Sequence, residues 1–426
     1  MERLALLRLR SWLSLLWLGL LLLAALLLPG RIWTTLLVGL GGLFVVAFLW
    51  SWQLAGGLHG RRQLRFGWVA VGDRLSESFT LINDSVLPAF WVEVEDRSNV
   101  PGYSPAVVRS VGGRGTLQWR QDAICQQRGR FHLGPWTLHS GDPFGIFTVT
   151  INYPISDEII IHPPILTQLP IPLPAGQASG RVRARQRSWQ ATVNASTVRD
   201  YQPQDPYRWI HWPTSARRDD LYVREFDLDA AGDIWLLLDM QASVQLGSGP
   251  QSSEEQMILL AAALTARALH ENRAIGLAAY SQNPQLIPPG IGGGQQWRLL
   301  RALALANADG ENSLADSLDD LRRVAQRGSA AAILTPRADG DWLPALLQLA
   351  HAGIRCHVTL LDRESYGDRA SGSKGLCDAV QQLGVPCHLV RQGDIGQPLE
   401  EGPRRGFWQF RTLATGKVVV VQRPDE

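Results

Sequence analysis

Two uncharged apolar runs open the chain. Ser11 to Leu28 is dominated by leucine, and Ile32 to Trp52 follows after Pro29-Gly30-Arg31. The runs hold 18 and 21 residues, so at ~1.5 Å per residue they reach about 27 and 32 Å, close to the hydrocarbon thickness of a bilayer. Trp12, Trp33, Trp50 and Trp52 lie near the ends of the runs, where indole rings favour the interface. The short break leaves room only for a tight turn, so the pattern predicts a transmembrane helical hairpin over residues 1–60. A cleaved signal peptide fits less well, because the first run is long for one and a second span follows with no small-residue cleavage site.

From Leu64 to about Ile161 the pattern shortens to period two. Ser78-Phe-Thr-Leu-Ile82 and Phe90-Trp-Val-Glu-Val94 alternate apolar and polar residues. Turn clusters such as Asn83-Asp84-Ser85, Val100-Pro-Gly102 and Gly112-Gly-Arg-Gly115 separate such runs. The spacing predicts an antiparallel β-sandwich of immunoglobulin-like type over residues 61–165. Within it, Arg128-Gly-Arg-Phe-His-Leu-Gly-Pro-Trp136 runs into Ser140-Gly-Asp-Pro-Phe-Gly-Ile-Phe147, which reads as a strand followed by a turn that orders the sheet edge.

Residues 166–232 break the periodicity. Five prolines between His162 and Pro174 predict an extended connector. Arg181, Arg183, Arg185 and Arg187 then alternate along one side of an extended chain. That stripe would suit lipid phosphates or an acidic partner, though a solvated loop is the simpler expectation. Arg199 to Arg217 packs Arg, Asp, Pro and aromatic residues too densely for an amphipathic helix or an alternating strand. An ordered loop with an internal network of arginine forks is expected there, with a ligand site as the alternative.

Strand and helix alternate over residues 233–395. Short apolar runs at Ile234–Asp239, Ile275–Tyr280, Ala331–Leu334, Cys356–Leu361 and Cys387–Val390 are separated by helical periods, the longest from Glu254 to Glu271. This predicts a mainly parallel sheet covered on both faces, and directs attention to Asp239 at the carboxyl end of its first strand. An Asp-x-Ser-x-Ser loop there would supply oxygens to a divalent cation such as Mg²⁺. Gln241 replaces the first serine, leaving Asp239 and Ser243 as a degenerate pair, and the later strand ends in Thr335-Pro336 without an acid. No bound cofactor is expected, and Asp239 reads best as a cap of its loop. Residues 396–426 read as a β-hairpin tail.

Charge gives orientation. Arg3, Arg8 and Arg10 precede the first span, Arg61, Arg62 and Arg65 follow the second, and only Arg31 sits in the turn. The excess places both ends and the soluble part in the cytoplasm, on a multi-pass protein of the inner membrane. A net charge of +2 is too small to argue for nucleic acid. Cys125, Cys356, Cys377 and Cys387 show no CxxC spacing and fit a reducing compartment, with a Cys356–Cys387 disulfide left open. Phosphate-loop, HExxH and GxSxG signatures are missing from the sequence, so no enzyme is expected.

Together these pieces resemble the bacterial domain-of-unknown-function-58 family. The passage from Arg128 to Gly145 corresponds to its "RGxY/F…LGP…DPFG" stretch. Arg199, Tyr201, Asp205, Arg208, Ile210, Trp212, Ser215, Ala216 and Arg217 correspond to its signature, with Gln204 where the family has glycine. The resemblance implies a von Willebrand factor A-like α/β domain after the sandwich and the connector. It also implies work beside a MoxR-type AAA+ ATPase and transglutaminase-like membrane proteins, in assembly or maturation of other proteins. The expected function is therefore a membrane-anchored scaffold whose signature loop binds a partner. The alternative is a metal-dependent hydrolase or adhesion-type site centred on Asp239.

Overall fold

The computed structural model describes residues 4–28, 30–64, 69–166, 171–174, 195–202, 207, 210–218, 220–226, 232–368, 372–395, 409–412 and 418–422. The arginine stripe at 181–187 lies outside them, as do Asp205 and Arg208. The chain divides into two compact units, one formed mainly by residues 1–166 and the other mainly by residues 167–395.

The first unit is rich in sheet and carries the apolar helices. In chain order it holds β1 (Leu4–Leu9), α1 (Leu13–Leu27), α2 (Arg31–Gly57), β2 (Leu58–Leu64), β3 (Val69–Ala70) and β4 (Arg74–Asn83). β5 (Ala89–Asp96), β6 (Val107–Val111), β7 (Gly115–Ile124), β8 (Gly129–Leu133), β9 (Trp136–Gly141), β10 (Phe147–Tyr153) and β11 (Asp157–His162) follow. One sheet has the order β1-β10-β9-β5-β6 and a second β2-β4-β7, while β3-β11-β8 form a third. Alternation sets which side chains turn inward: Phe147, Val149, Ile151 and Tyr153 of β10 are all buried. Val149, Ile151 and Tyr153 meet Leu58, Leu81, Val92, Val94 and Leu138 in a core shared by the first two sheets.

An ion-pair cluster clasps those sheets. Arg62 of β2 reaches Glu77 of β4 through Nη2 at 2.8 Å and Asp96 of β5 through Nη1 at 2.9 Å, and Nη2 also donates to Ser98 Oγ at 3.2 Å. Tyr103 donates its hydroxyl to Glu77. Burial lowers the affinity of the Arg62 guanidinium for its proton, but Glu77 and Asp96 overcome that and hold it above its ordinary range.

The helices depart from expectation in length. α1 has 15 residues, about 22 Å, whereas α2 has 27, about 40 Å. α2 is the one described helix long and apolar enough to cross a membrane. Its carboxyl end does not hang free: Ala47, Ser51 and Leu54 are buried, and Leu54 belongs to the sheet core. Trp50 stacks on Phe90 at 5.6 Å and donates its indole N–H to Pro88 O at 3.1 Å. A Cβ on Gly57 would come within 2.6 Å of Ser85 N, so only glycine admits that approach.

The amino end is held as firmly. β1 pairs antiparallel with β10, Leu9 opposite Phe147, although a strand before the first helix is not an expectation of the sequence. The Asp142-Pro-Phe-Gly turn is the socket beside it. The buried Asp142 carboxylate accepts the N–H groups of Phe144 (2.8 Å), Ile146 (3.3 Å) and Phe147 (2.6 Å). Arg10 N–H donates to Ile146 O at 2.9 Å, and Phe147 packs edge-on against Phe44 and Phe48 of α2. The turn orders the base of the helical pair.

The second unit opens with β12 (Ala195–Asp200), α3 (Trp212–Arg218) and β13 (Tyr222–Phe226), with β12 and β13 paired antiparallel. β14 (Ile234–Leu238), α4 (Ser253–His270), β15 (Ile275–Ala279), β16 (Gln285–Gly290), α5 (Gly293–Leu305), α6 (Leu314–Val324), β17 (Ala330–Thr335), α7 (Leu343–His351), β18 (Arg355–Leu361), α8 (Ser373–Gln382) and β19 (Cys387–Val390) follow. Their sheet has the order β16-β15-β14-β17-β18-β19 and is parallel except for β16. β16 contains Pro288 and Pro289 and hides from a reading by periodicity, since proline is tolerated only at such an edge. The four cysteines are free and buried. Cys377 and Cys387 lie closest, Sγ to Sγ 2.6 Å, and no disulfide joins Cys356 to Cys387. In the tail, β20 (Gln409–Thr412) and β21 (Val418–Gln422) form an antiparallel pair.

Candidate functional site

In open α/β sheets ligands collect at the carboxyl ends of strands, where neighbouring connections diverge. Here that point lies at the ends of β14 and β17. Asp239 follows β14 and is buried. Its Oδ2 accepts the hydroxyl of Thr335, the last residue of β17, at 2.7 Å, and its Oδ1 accepts Gln241 N–H at 3.3 Å. Arg337 places its guanidinium 3.5 Å from Oδ2, bonds the Gln241 amide oxygen and pairs with Asp339 at 3.1 Å. Burial pushes the Asp239 carboxyl above its ordinary range, against the Thr335 hydrogen bond and the charge of Arg337.

This arrangement does not fit a divalent cation. A guanidinium and a metal ion compete for the same carboxylate, and Arg337 is already in place. Ser243 stands exposed on the one-turn 3₁₀ helix Ala242–Val244. Gly310 exchanges backbone hydrogen bonds with Met240 and Ala242. Arg363 closes the same edge by donating to Val244 O and Pro336 O while pairing with Asp368 at 2.8 Å. Thr335 and Arg337 are the partners that sequence reasoning missed. The signal was present: a basic residue stands just after the strand end where an acid was sought.

The signature residues form a compact strand–helix–strand unit. Arg199 lies in β12 opposite Val223. Tyr201 N–H donates to Leu221 O at 2.8 Å, and its ring stacks on Tyr207 at 6.0 Å. Ile210 is buried and bridges to Val223. The buried Ser215 hydroxyl accepts Tyr222 N–H at 2.9 Å and donates to His211 O at 3.2 Å, tying α3 to β13. Arg217 is exposed in the last turn of α3, and Arg218 covers the Tyr222 ring. Against this hydrogen-bonded frame, Tyr207 and Trp212 are 74% and 64% exposed.

Residues 197–370 match the family model described as protein of unknown function DUF58. This match and the likeness below support the DUF58 family. The uncharacterized protein YeaD of Bacillus subtilis is 21% identical over 350 residues, which span 79% of this chain and 83% of that protein. The uncharacterized protein Rv1480 of Mycobacterium tuberculosis is 31% identical over 139 residues, 32% of this chain and 44% of its own length. Among solved structures, one from the human zinc 2-glycoprotein and prolactin-inducible protein complex matches 24% of this chain and 92% of its own, at 6% identity. Its TM-score of 0.19 is too low to carry an argument about fold. The DUF58 match takes in both the signature unit and the Asp239 edge.

Proposed function

We propose that this DUF58 protein is a membrane-anchored interaction module. Its β-sandwich and von Willebrand factor A-like domain face the cytoplasm, and its signature unit docks a protein partner. One observation carries the anchor: β1 and β2, which flank the helical pair, belong to the same sheet-rich unit. A folded unit cannot straddle a bilayer, so if α2 crosses, α1 crosses back, and the pair is a hairpin. At about 22 Å α1 is shorter than the ~30 Å core, a mismatch that local thinning accommodates. The arginine excess supports the cytoplasmic side. Arg62 ends buried in its ion-pair cluster, so its charge acts on orientation only before folding.

The docking role rests on Trp212 and Tyr207. Large aromatic side chains held outward on a rigid frame are what binding hot spots are made of. A MoxR-type AAA+ ATPase is the partner we propose. Two measurements test this reading. Protease added to spheroplasts leaves the folded units intact and digests them in inverted vesicles; the reverse pattern ends the cytoplasmic assignment. The ATPase co-purifies with the wild-type chain in mild detergent and is lost with Trp212→Ala; retention would remove the signature unit from the interface.

A further inference from the structure

We infer that the two loops at the base of the helical pair, residues 84–90 and 142–147, sit in the lipid headgroup layer and form a collar that fixes the sheet-rich unit against the bilayer. The inference rests on the anchor reading above and adds where the protein–lipid interface lies. Its first support is depth. If Arg31 occupies the far headgroup layer, a ~30 Å core at ~1.5 Å per residue is crossed after about 20 residues of α2. That count ends at Trp50–Trp52. Trp50 stacks on Phe90, so Phe90 shares the level of the near interface, and the sheet-rich unit reaches it.

The second support is what the loops expose. Trp12 (77%), Trp52 (62%), Phe90 (55%) and Phe144 (52%) all stand outward around the base, with Val86 beside them. They continue the exposed apolar surface of the helices, which at Leu23, Leu27, Val46 and Leu49 is equally uncovered. Large aromatic residues on ordered loops, contiguous with such a surface, mark an interaction face, and indole and phenyl rings at this depth favour the interface. Charge agrees. The Asp142 carboxylate is buried and taken up by backbone N–H groups, and the exposed Asp84 carboxylate is paired with His59 at 2.8 Å. Arg8 and Arg10 remain exposed at the rim, where long basic side chains reach lipid phosphates. Lipid is thus the occupant that this face fits, in preference to a second copy of the chain.

Site-directed fluorescence tests this on the full chain reconstituted in phosphatidylethanolamine–phosphatidylglycerol vesicles. The native cysteines are buried, so a thiol-reactive, polarity-sensitive dye reports only from introduced sites. Phe144→Cys and Val86→Cys probe the collar. Leu23→Cys probes the hairpin, and Ile155→Cys, beyond the far end of β10, is the control. Ile155 lies roughly 20 Å from the collar along the strand. Lipids spin-labelled near the headgroup are expected to quench the dyes at 144 and 86 at least about twofold more than at 155, as for groups seated at the headgroup–acyl boundary. Lipids labelled deep in the chain are expected to quench the dye at 23. Quenching at 23 with none at 144 or 86 beyond the control would overturn the collar and leave the anchor standing. Loss of quenching at 23 would remove the anchor itself, and the collar with it.

Discussion

Both units bury an arginine against carboxylates, and the surroundings give the two pairs different weight. In the sheet-rich unit Arg62 is enclosed, and it joins strands from two sheets through Glu77 and Asp96. At the carboxyl edge of the parallel sheet Arg337 is covered almost as well, but Asp239 has Thr335 and a backbone N–H as further donors. A buried charge costs little when its partners are complete and several kcal/mol when one is removed. The comparison teaches that Arg62 is needed to hold two anions in the interior. Of the two carboxylates that Arg337 meets, only Asp239 is buried, and it already has other support.

Substitutions order the two sites. Arg62→Ala, which strands Glu77 and Asp96, is expected to lower the unfolding free energy by about 3–5 kcal/mol. Denaturant titration of the detergent-solubilised chain measures it, and a loss under ~1 kcal/mol would mean the cluster is not the clasp described. Asp142→Ala tests a third solution, in which backbone N–H groups stabilise the acid. Leaving those groups without an acceptor is expected to cost about 2–3 kcal/mol and to speed amide exchange at residues 144–147. Unchanged exchange there would dissociate the turn from the base of the helices. Arg337→Ala is expected to cost only about 1–2 kcal/mol, because Asp239 keeps its Thr335 bond. An effect as large as that of Arg62→Ala would erase the contrast. Stoichiometric Mg²⁺ bound by that variant would show the arginine standing where a cation can.

The smallest effect involves a half-buried base beside other basic groups. Burial, and then His388, Arg355 and Arg273, lower the His357 pKa below its ordinary 6.5. Below pH 6.5 the unfolded chain therefore binds a proton that the folded chain refuses, and stability falls as pH drops from 6.5 toward the depressed folded value. His357→Gln is expected to flatten stability between pH 7 and 5. A slope unchanged by the substitution would assign the acid sensitivity elsewhere.

Much of the second unit was legible from periodicity. Strands at Ile234–Leu238 and Cys387–Val390 and the helix Ser253–His270 stand within a residue or so of their expected limits. Hydrophobic spacing is local, and a fully buried strand announces itself in five apolar letters. The signature stretch was less legible. Its strands β12 and β13 pair with α3 between them in sequence, and neither alternates cleanly. Of the candidate residues, Asp239 and Trp212 were identifiable by type, but their environments were not. Nothing near Trp212 in sequence shows that it faces solvent, and Asp239 finds Thr335 96 residues away.

Sequence alone determined the apolar runs, the alternating strands and the stretch that resembles the DUF58 family, since each depends on neighbours a few positions apart. Tertiary structure decided the rest. It paired Leu4–Leu9 with Phe147–Tyr153, so that one folded unit holds both ends of the helices. It turned the Asp142 loop into their socket and set Arg337 against Asp239. Those outcomes hang on which distant segments meet, and a contact between distant segments leaves no period in the chain to read.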